Sequence, residues 1–255
     1  MNKKSLALLS FFSLILCTSL VAQAQGESAK NPSASPAAPS AAPVTINAST
    51  APLDLARAAF MAQGGEKFRN LKSIVLIGSV NLYPPNSTNS IPGSFVIATA
   101  GARTHIEVNA SPIIVFKQIF DGQNSYSSLP NVPPFPPPSK FGLPVLAKFD
   151  QPGYTVTALP DIKKQRGFRI TDGDGNATNF YLDPASGRVL SFSVQFNGVT
   201  FSTENKKMKE VDGVLVSYSF SQRLEMTQGA GFAEYTVKDV KLNQPIGDDV
   251  FTIPN

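Results

Sequence analysis

The sequence predicts a mainly β domain of the α+β class: one large, curved antiparallel sheet forming a half-open barrel. Its concave side is covered by an N-terminal helix and a Pro-rich loop with a short helix. Three observations carry this expectation. From residue 71 onward, runs rich in β-branched and aromatic residues alternate apolar and polar side chains, the period of two that puts every second residue on one face of a sheet. These runs are separated by pairs such as Asn197-Gly198 and Asp212-Gly213, whose tolerance of positive φ suits tight hairpins. Residues 53–63 are the one stretch at clear helical spacing, with Leu55, Ala56, Ala59, Phe60 and Gln63 on one face and Gly64-Gly65 as the stop.

Residues 1–24 have the three parts of a cleavable signal peptide: Lys3 and Lys4, an apolar run from residue 6 to 21, and Ala22 and Ala24 around Gln23. The run is broken by Ser and Thr, whereas a spanning helix wants about 20 apolar residues. Cys17, the single cysteine, leaves with this leader, because Leu16 stands where lipid attachment needs a small residue. The mature chain is therefore expected to lack thiol chemistry and to be periplasmic or secreted. Residues 25–52 are mostly Ala, Ser and Pro, too poor in apolar surface to offset the entropy of ordering, and read as a disordered linker. Residues 53–255 remain as a single domain.

The strands follow in order. Residues 71–83 carry aliphatic residues on both faces, as in a strand covered on both sides. Phe95 and Ile97 alternate on the next strand, Gly101 turns the chain, and Ile106 and Val108 alternate on the one after. Asp121-Gly122 is a further turn. Residues 189–196 place Leu190, Phe192, Val194 and Phe196 on one face, and Asn197-Gly198 leads back through Val199 and Phe201. Asp212-Gly213 opens the long run from Val214 to Met226. On the last strand Tyr235 and Val237 share a parity that Val240 and Leu242 break, so a bulge is expected near Lys238-Asp239. About ten strands joined this way curl rather than stay flat. Residues 129–153 have eight prolines and no strand pattern. They are expected to run as extended chain with a helical turn at 144–149, lying over the concave side either as a fixed cover or as a lid.

Chemistry is sparse. His105 is the only histidine, mid-strand between Arg103 and Glu107 on one parity, and reads as part of a solvent-facing polar triplet. No nucleophile elbow, zinc-binding helix motif, Cys pair or phosphate-cradling Gly-rich loop is present. Asp172, Asp174 and Asn176 resemble the start of a calcium loop, but Ala177 stands where its sharp turn needs Gly and Asp183 where it needs Glu. A hairpin turn is the better reading. With 22 Lys and Arg against 18 Asp and Glu, and Lys3 and Lys4 lost with the leader, no basic block suggests nucleic acid. No catalytic residue, metal or cofactor is expected.

Residues 93–126, with Gly93-Ser-Phe95-Val-Ile97, the Gly101 turn, Arg103-Thr-His105-Ile106-Glu-Val108 and Asp121-Gly122 leading to Tyr126, resemble the LolA/LolB-like superfamily. These are the periplasmic lipoprotein carriers and their lipid-binding relatives. The resemblance implies a half-barrel holding an apolar cavity under helices and loops. It also implies a non-enzymatic exported protein that holds acyl chains of a lipoprotein or lipid, with transient membrane contact at most. The alternative is an envelope sensor or protein-interaction module of the same fold without lipid cargo. The carriers use an arginine near the end of the strand beginning here at Phe95 to hold the lid; this chain has Thr99 and Ala100 there, with Arg103 beyond the turn. The cavity candidates are Ile74 and Leu76, Phe95 and Ile97, Ile106 and Val108, Phe192 and Val194, and Phe220; the lid candidates are Phe141, Leu143, Leu146 and Phe149.

Overall fold

Twelve strands of the described residues form one sheet, in the order β5-β4-β3-β2-β1-β12-β11-β10-β9-β8-β7-β6. The computed structural model describes residues 45–85, 87–129, 137–226 and 229–254. The expected leader, Cys17 and the linker up to residue 44 lie outside the described residues, and the sheet belongs to one compact unit, residues 42–255.

Helix α1, Pro52–Gln63, starts with Pro in its first turn and Asp54 near its N-terminus and stops at Gly64, where φ is +123°. The four-residue α2, Glu66–Arg69, follows. Then come β1 Ser73–Tyr83, β2 Ile91–Ala100, β3 Arg103–Ala110, β4 Ile114–Phe120 and the short β5 Ser125–Ser127. After a 3₁₀ turn at Pro138–Lys140 and α3, Leu143–Leu146, the chain returns as β6 Thr155–Ile162, β7 Gln165–Thr171 and β8 Ala177–Leu182. It ends with β9 Val189–Phe196, β10 Val199–Val211, β11 Val214–Met226 and β12 Gly229–Leu242, and a C-terminal turn at Asp248–Phe251.

Nearly every connection is a hairpin, and the one long-range closure is β1 against β12. At Asn197-Gly198 and Asp212-Gly213 both turn residues have positive φ, the mirror-image turn whose twist matches the strands it joins. The parity break of β12 resolves as a bulge: Ile77 faces Asp239 and Gly78 faces Val237, leaving Lys238 unmatched. Further register shifts in β6/β7, β8/β9 and twice in β10/β11 add the local twist that bends a long sheet. The result is a curved sheet that does not close, with β5 and β6 at its two edges.

The sequence suggests about ten strands, one helix and a helical turn at 144–149; the described residues hold twelve strands and three α-helices, with α3 falling on the expected turn. β6 and β7 lack a clean alternation, with exposed residues scattered along β6 and two successive buried residues in β7, and α2 is a single turn set by packing. Residues 45–51 also extend the ordered domain into the stretch that composition assigns to the linker. Ile46 packs on the core and the Ala48 carbonyl accepts a hydrogen bond from Arg166 Nη2.

The core is divided into three clusters. In the first, Leu55, Ala56, Ala59 and Phe60 of α1, with Val145, Leu146 and Phe149, lie on Phe168, Ile170, Phe180, Leu182 and Val189. The second joins Val80, Phe95, Val108, Phe220, Tyr235 and Val237. The third, Val214, Val216 and Leu242, is bridged to the first by Phe68 of α2. Helix cover is uneven: α1 packs on β6, β7 and β11, and α2 on β11.

His105 is not solvent-facing. Its face of β3 is capped by the C-terminal turn, whose Phe251 is buried. His105 Nδ1 lies 2.6 Å from the Val250 carbonyl oxygen, an acceptor only, so this nitrogen carries the proton. Arg103 pairs with Asp248 at 2.6 Å and lies over the Phe251 ring. The triplet is a structural clamp on the back of the sheet, drawn there by a segment distant in sequence. Partial burial pushes the Glu107 carboxyl up, but Lys117 at 3.1 Å and then His105 outweigh it, and the net displacement is below the ordinary value. A lowered carboxylate contributes stability above its unfolded pKa and loses it as pH falls through the folded one. Between pH 5 and 3 the urea midpoint of Glu107→Gln should therefore fall less than that of the wild type.

Candidate apolar site on the concave face

The register settles which residues share the inner face. Leu76, Gly78 and Val80 of β1 stand opposite Ile97, Phe95 and Gly93 of β2; Ile97 and Phe95 in turn face Ile106 and Val108 of β3, and Gly93 lies against Ala110. On the other flank Tyr235 and Val237 of β12 face Val80 and Gly78, and Phe220 of β11 faces Tyr235. Further along, Phe192 faces Phe180, and Val194 faces Thr178. All nine cavity candidates thus lie on one surface, as period-two alternation in paired strands requires.

They do not form one pocket lining. Phe95, Val108 and Phe220 are buried in the second cluster, with Leu76 and Ile97 packed partly exposed against it. Phe220 stacks on Tyr235 at 4.7 Å between centroids, and Phe95 meets the same ring edge-on at 5.0 Å, both favourable ring geometries. Burial pushes the Tyr235 hydroxyl well above its ordinary pKa, so it stays neutral. Ile74 belongs with the third cluster and Phe192 with the first. Val194 is buried, while Ile106 remains half-buried between Ile97 and Gln118 in the ladder.

The lid candidates are core residues of the first cluster or its margin. Leu146 and Phe149 are 0% and 3% exposed, and Leu143 packs beside them. Phe141 meets Phe196 edge-on at 5.6 Å. The segment is also pinned by polar contacts. Arg69 Nε donates to the Ala147 carbonyl at 2.8 Å and Nη2 to Asp150 at 2.7 Å, with the guanidinium 4.4 Å above the Phe60 ring. Lys140 pairs with Asp174 at 2.7 Å, and the Gly142 amide donates to Thr178 Oγ1. Arg69 holds this cover where Arg103 does not; it sits 81 residues from Asp150, and nothing in the local sequence marks it. The calcium-like stretch is a closed turn, since Asp172 Oδ1 accepts from the amides of Asp174 and Asn176. Among the described residues no cluster of three metal-ligating side chains occurs.

A separate hollow of about 210 Å³ lies at the end of α1, between Met61, Arg188 and residues 208–210 of β10. None of the cavity or lid candidates lines it.

The fold defines a class: a curved, unclosed antiparallel sheet with helices on its inner face. No protein-family model and no curated protein matches the chain, but solved structures do. A LolA superfamily protein from Nitrosomonas europaea is 10% identical, covering 80% of this chain and 99% of its own, with a TM-score of 0.51. A DUF1329 family protein from Desulfovibrio piger is 11% identical over 80% of this chain and 98% of its own, with a TM-score of 0.50. A putative outer membrane lipoprotein-sorting protein domain from Vibrio parahaemolyticus is 12% identical over 78% and 95%, with a TM-score of 0.46. The chain has the LolA-like fold.

Proposed function

We propose that this protein is an exported, non-enzymatic binding protein that shelters an acyl chain of a lipid or lipoprotein on the inner face of β1 to β4 and β11 to β12. The leader and the Ala/Ser/Pro linker would place the domain on a tether outside the cytoplasm. The observation that carries this reading is the unequal cover of the sheet. α1 and α3 fill the inner face over β7 to β9 with a dry core, whereas Leu76, Ile97, Phe116 and Val240 are only partly buried against the second cluster. Such a surface gains about 0.8 kcal/mol for every methylene it covers and needs no catalytic group. On this reading the acyl chain lies on the face around Ile97 and Ile106, beside the packed segment 141–149.

Solvent extraction and mass spectrometry of the purified mature protein should release acyl chains, and the emptied protein should bind a fluorescent fatty acid. Ile97→Glu and Ile106→Glu place a charge in the path of the chain and should weaken that binding by about tenfold or more, with the circular dichroism unchanged. A wild-type protein that yields no lipid and binds no fatty acid would end the proposal.

A further inference from the structure

We propose that the notch between Arg188 and the free edge of β10 is a docking slot for an extended acidic segment of another polypeptide, which adds a strand to β10 in line with β9. The inference does not depend on the acyl-binding reading, because the notch lies apart from that face.

The slot arises from a mismatch of strand lengths. β10 runs from Val199 to Val211, but β9 pairs with it only as far as Glu204 opposite Ser191. Two register shifts, at Asn205/Lys207 and Lys207/Met208, then bend β10 away, and Asn205 Nδ2 donates to the carbonyl of Val189, the first residue of β9. Beyond this point β10 pairs with β11 alone, and among the described residues no strand occupies its other side. In an antiparallel ladder alternate residues direct both their N–H and C=O groups to the same neighbour. Residues 207–211 therefore present two or three such pairs to the notch, along about 17 Å of edge. Unpaired edges of this kind are templates for a further strand.

The hollow beside the edge is floored by Met61 and Ala62 of α1 and walled by Arg188, Met208, Lys209 and Glu210. Met61 is 52% exposed, an adaptable apolar seat for one side chain of the incoming strand. The charges choose the occupant. Arg188, Lys67 and Lys207 have no carboxylate partner among the described residues. Lys209 rests only on the Tyr218 ring, at 4.3 Å. Arg188 and Lys209 line the hollow with Glu210, and the Lys67 side chain lies against Gly213 at its margin, a cationic surround that complements an acidic strand and repels a basic one. The chain's own linker is a poor occupant: residues 25–44 hold one acidic residue, Glu27, and Pro32, Pro36, Pro39 and Pro43 interrupt any ladder.

The test uses the isotope-labelled mature protein and a blocked heptapeptide alternating Glu with Val. The peptide should shift and protect the backbone amides of Arg188 and residues 207–211. The same peptide with every Glu replaced by Lys should not bind, and N-methylation at alternate peptide nitrogens should abolish binding. The double variant Arg188→Glu with Lys209→Glu should weaken it by about tenfold or more. The proposal is overturned by equal binding of the N-methylated peptide, or by the absence of shifts at 207–211 with about 1 mM peptide. Self-association mapping to 207–211 without peptide would assign the edge to a second copy. Retention on phosphatidylglycerol vesicles that depends on Arg188, without peptide shifts, would assign it to a membrane. Either result overturns the proposal.

Discussion

Gly78→Ala is expected to destabilise the domain by about 3 kcal/mol or more. Gly78 sits at the bulge that joins the first strand to the last, and a Cβ built there lies 2.0 Å from the Thr236 carbonyl oxygen and 2.8 Å from Phe95 Cε1. Neither neighbour can yield cheaply. The carbonyl belongs to the β1/β12 pairing, and Phe95 is held between Phe220 and Tyr235. Gly101 is the control. Its φ of +58° is costly for alanine, but nothing lies within 4 Å of the added carbon, so Gly101→Ala should lose only about 1 kcal/mol. Urea unfolding of the two variants checks the order, and a Gly78→Ala midpoint at or above that of Gly101→Ala would contradict the packing account.

Leu146→Ala should cost about 2–5 kcal/mol, because its side chain is fully buried between α1 and the sheet and leaves a cavity that rigid strands cannot close. The consequence separates a lid from a wall. A lid opens locally, so amides such as that of Gln151, bonded to the Lys148 carbonyl, would exchange far faster than those of β8. A wall opens only with the core, and its amides then follow global unfolding. With Val145, Leu146 and Phe149 each 3% exposed or less, and Arg69 clamping Ala147 and Asp150, exchange from residues 147–151 should track urea stability in both the wild type and Leu146→Ala. Rapid exchange at these amides in a stable protein would restore the lid.

How much of this was readable in one dimension depends on the range of the forces. The hairpins at Gly101, Asn197-Gly198 and Asp212-Gly213 were legible because positive φ is a local demand that few residues meet. The bulge at Lys238 was legible for a related reason, since a one-residue change of parity on β12 leaves no other way to keep Tyr235 and Val240 inward. β6 and β7 were not, because α1 packs across them and their burial does not come from alternation of their own. His105 was misread for the same cause: the turn that covers it begins at Asp248, 145 residues after Arg103.

The candidate site divides along the same line. That Ile74, Leu76, Phe95, Ile97, Ile106, Val108, Phe192, Val194 and Phe220 share a face follows from the order of apolar residues and turns alone. Which of them fill a core and which remain open follows from long-range packing: Phe192 lies against the cluster under α1 and α3, Phe95, Val108 and Phe220 pack with Tyr235 across strands, and Ile97 and Ile106 stay partly exposed.

The chain by itself determined the strand periods, the turns between them and the inner face they create, because those depend on φ, ψ and the alternation of neighbouring side chains. Only the tertiary structure decided that β1 closes on β12, that residues 143–150 are held by Arg69 as part of the core, and that β10 outruns β9. Those outcomes rest on contacts between residues far apart in sequence, where packing against a distant surface and not local preference sets the energy.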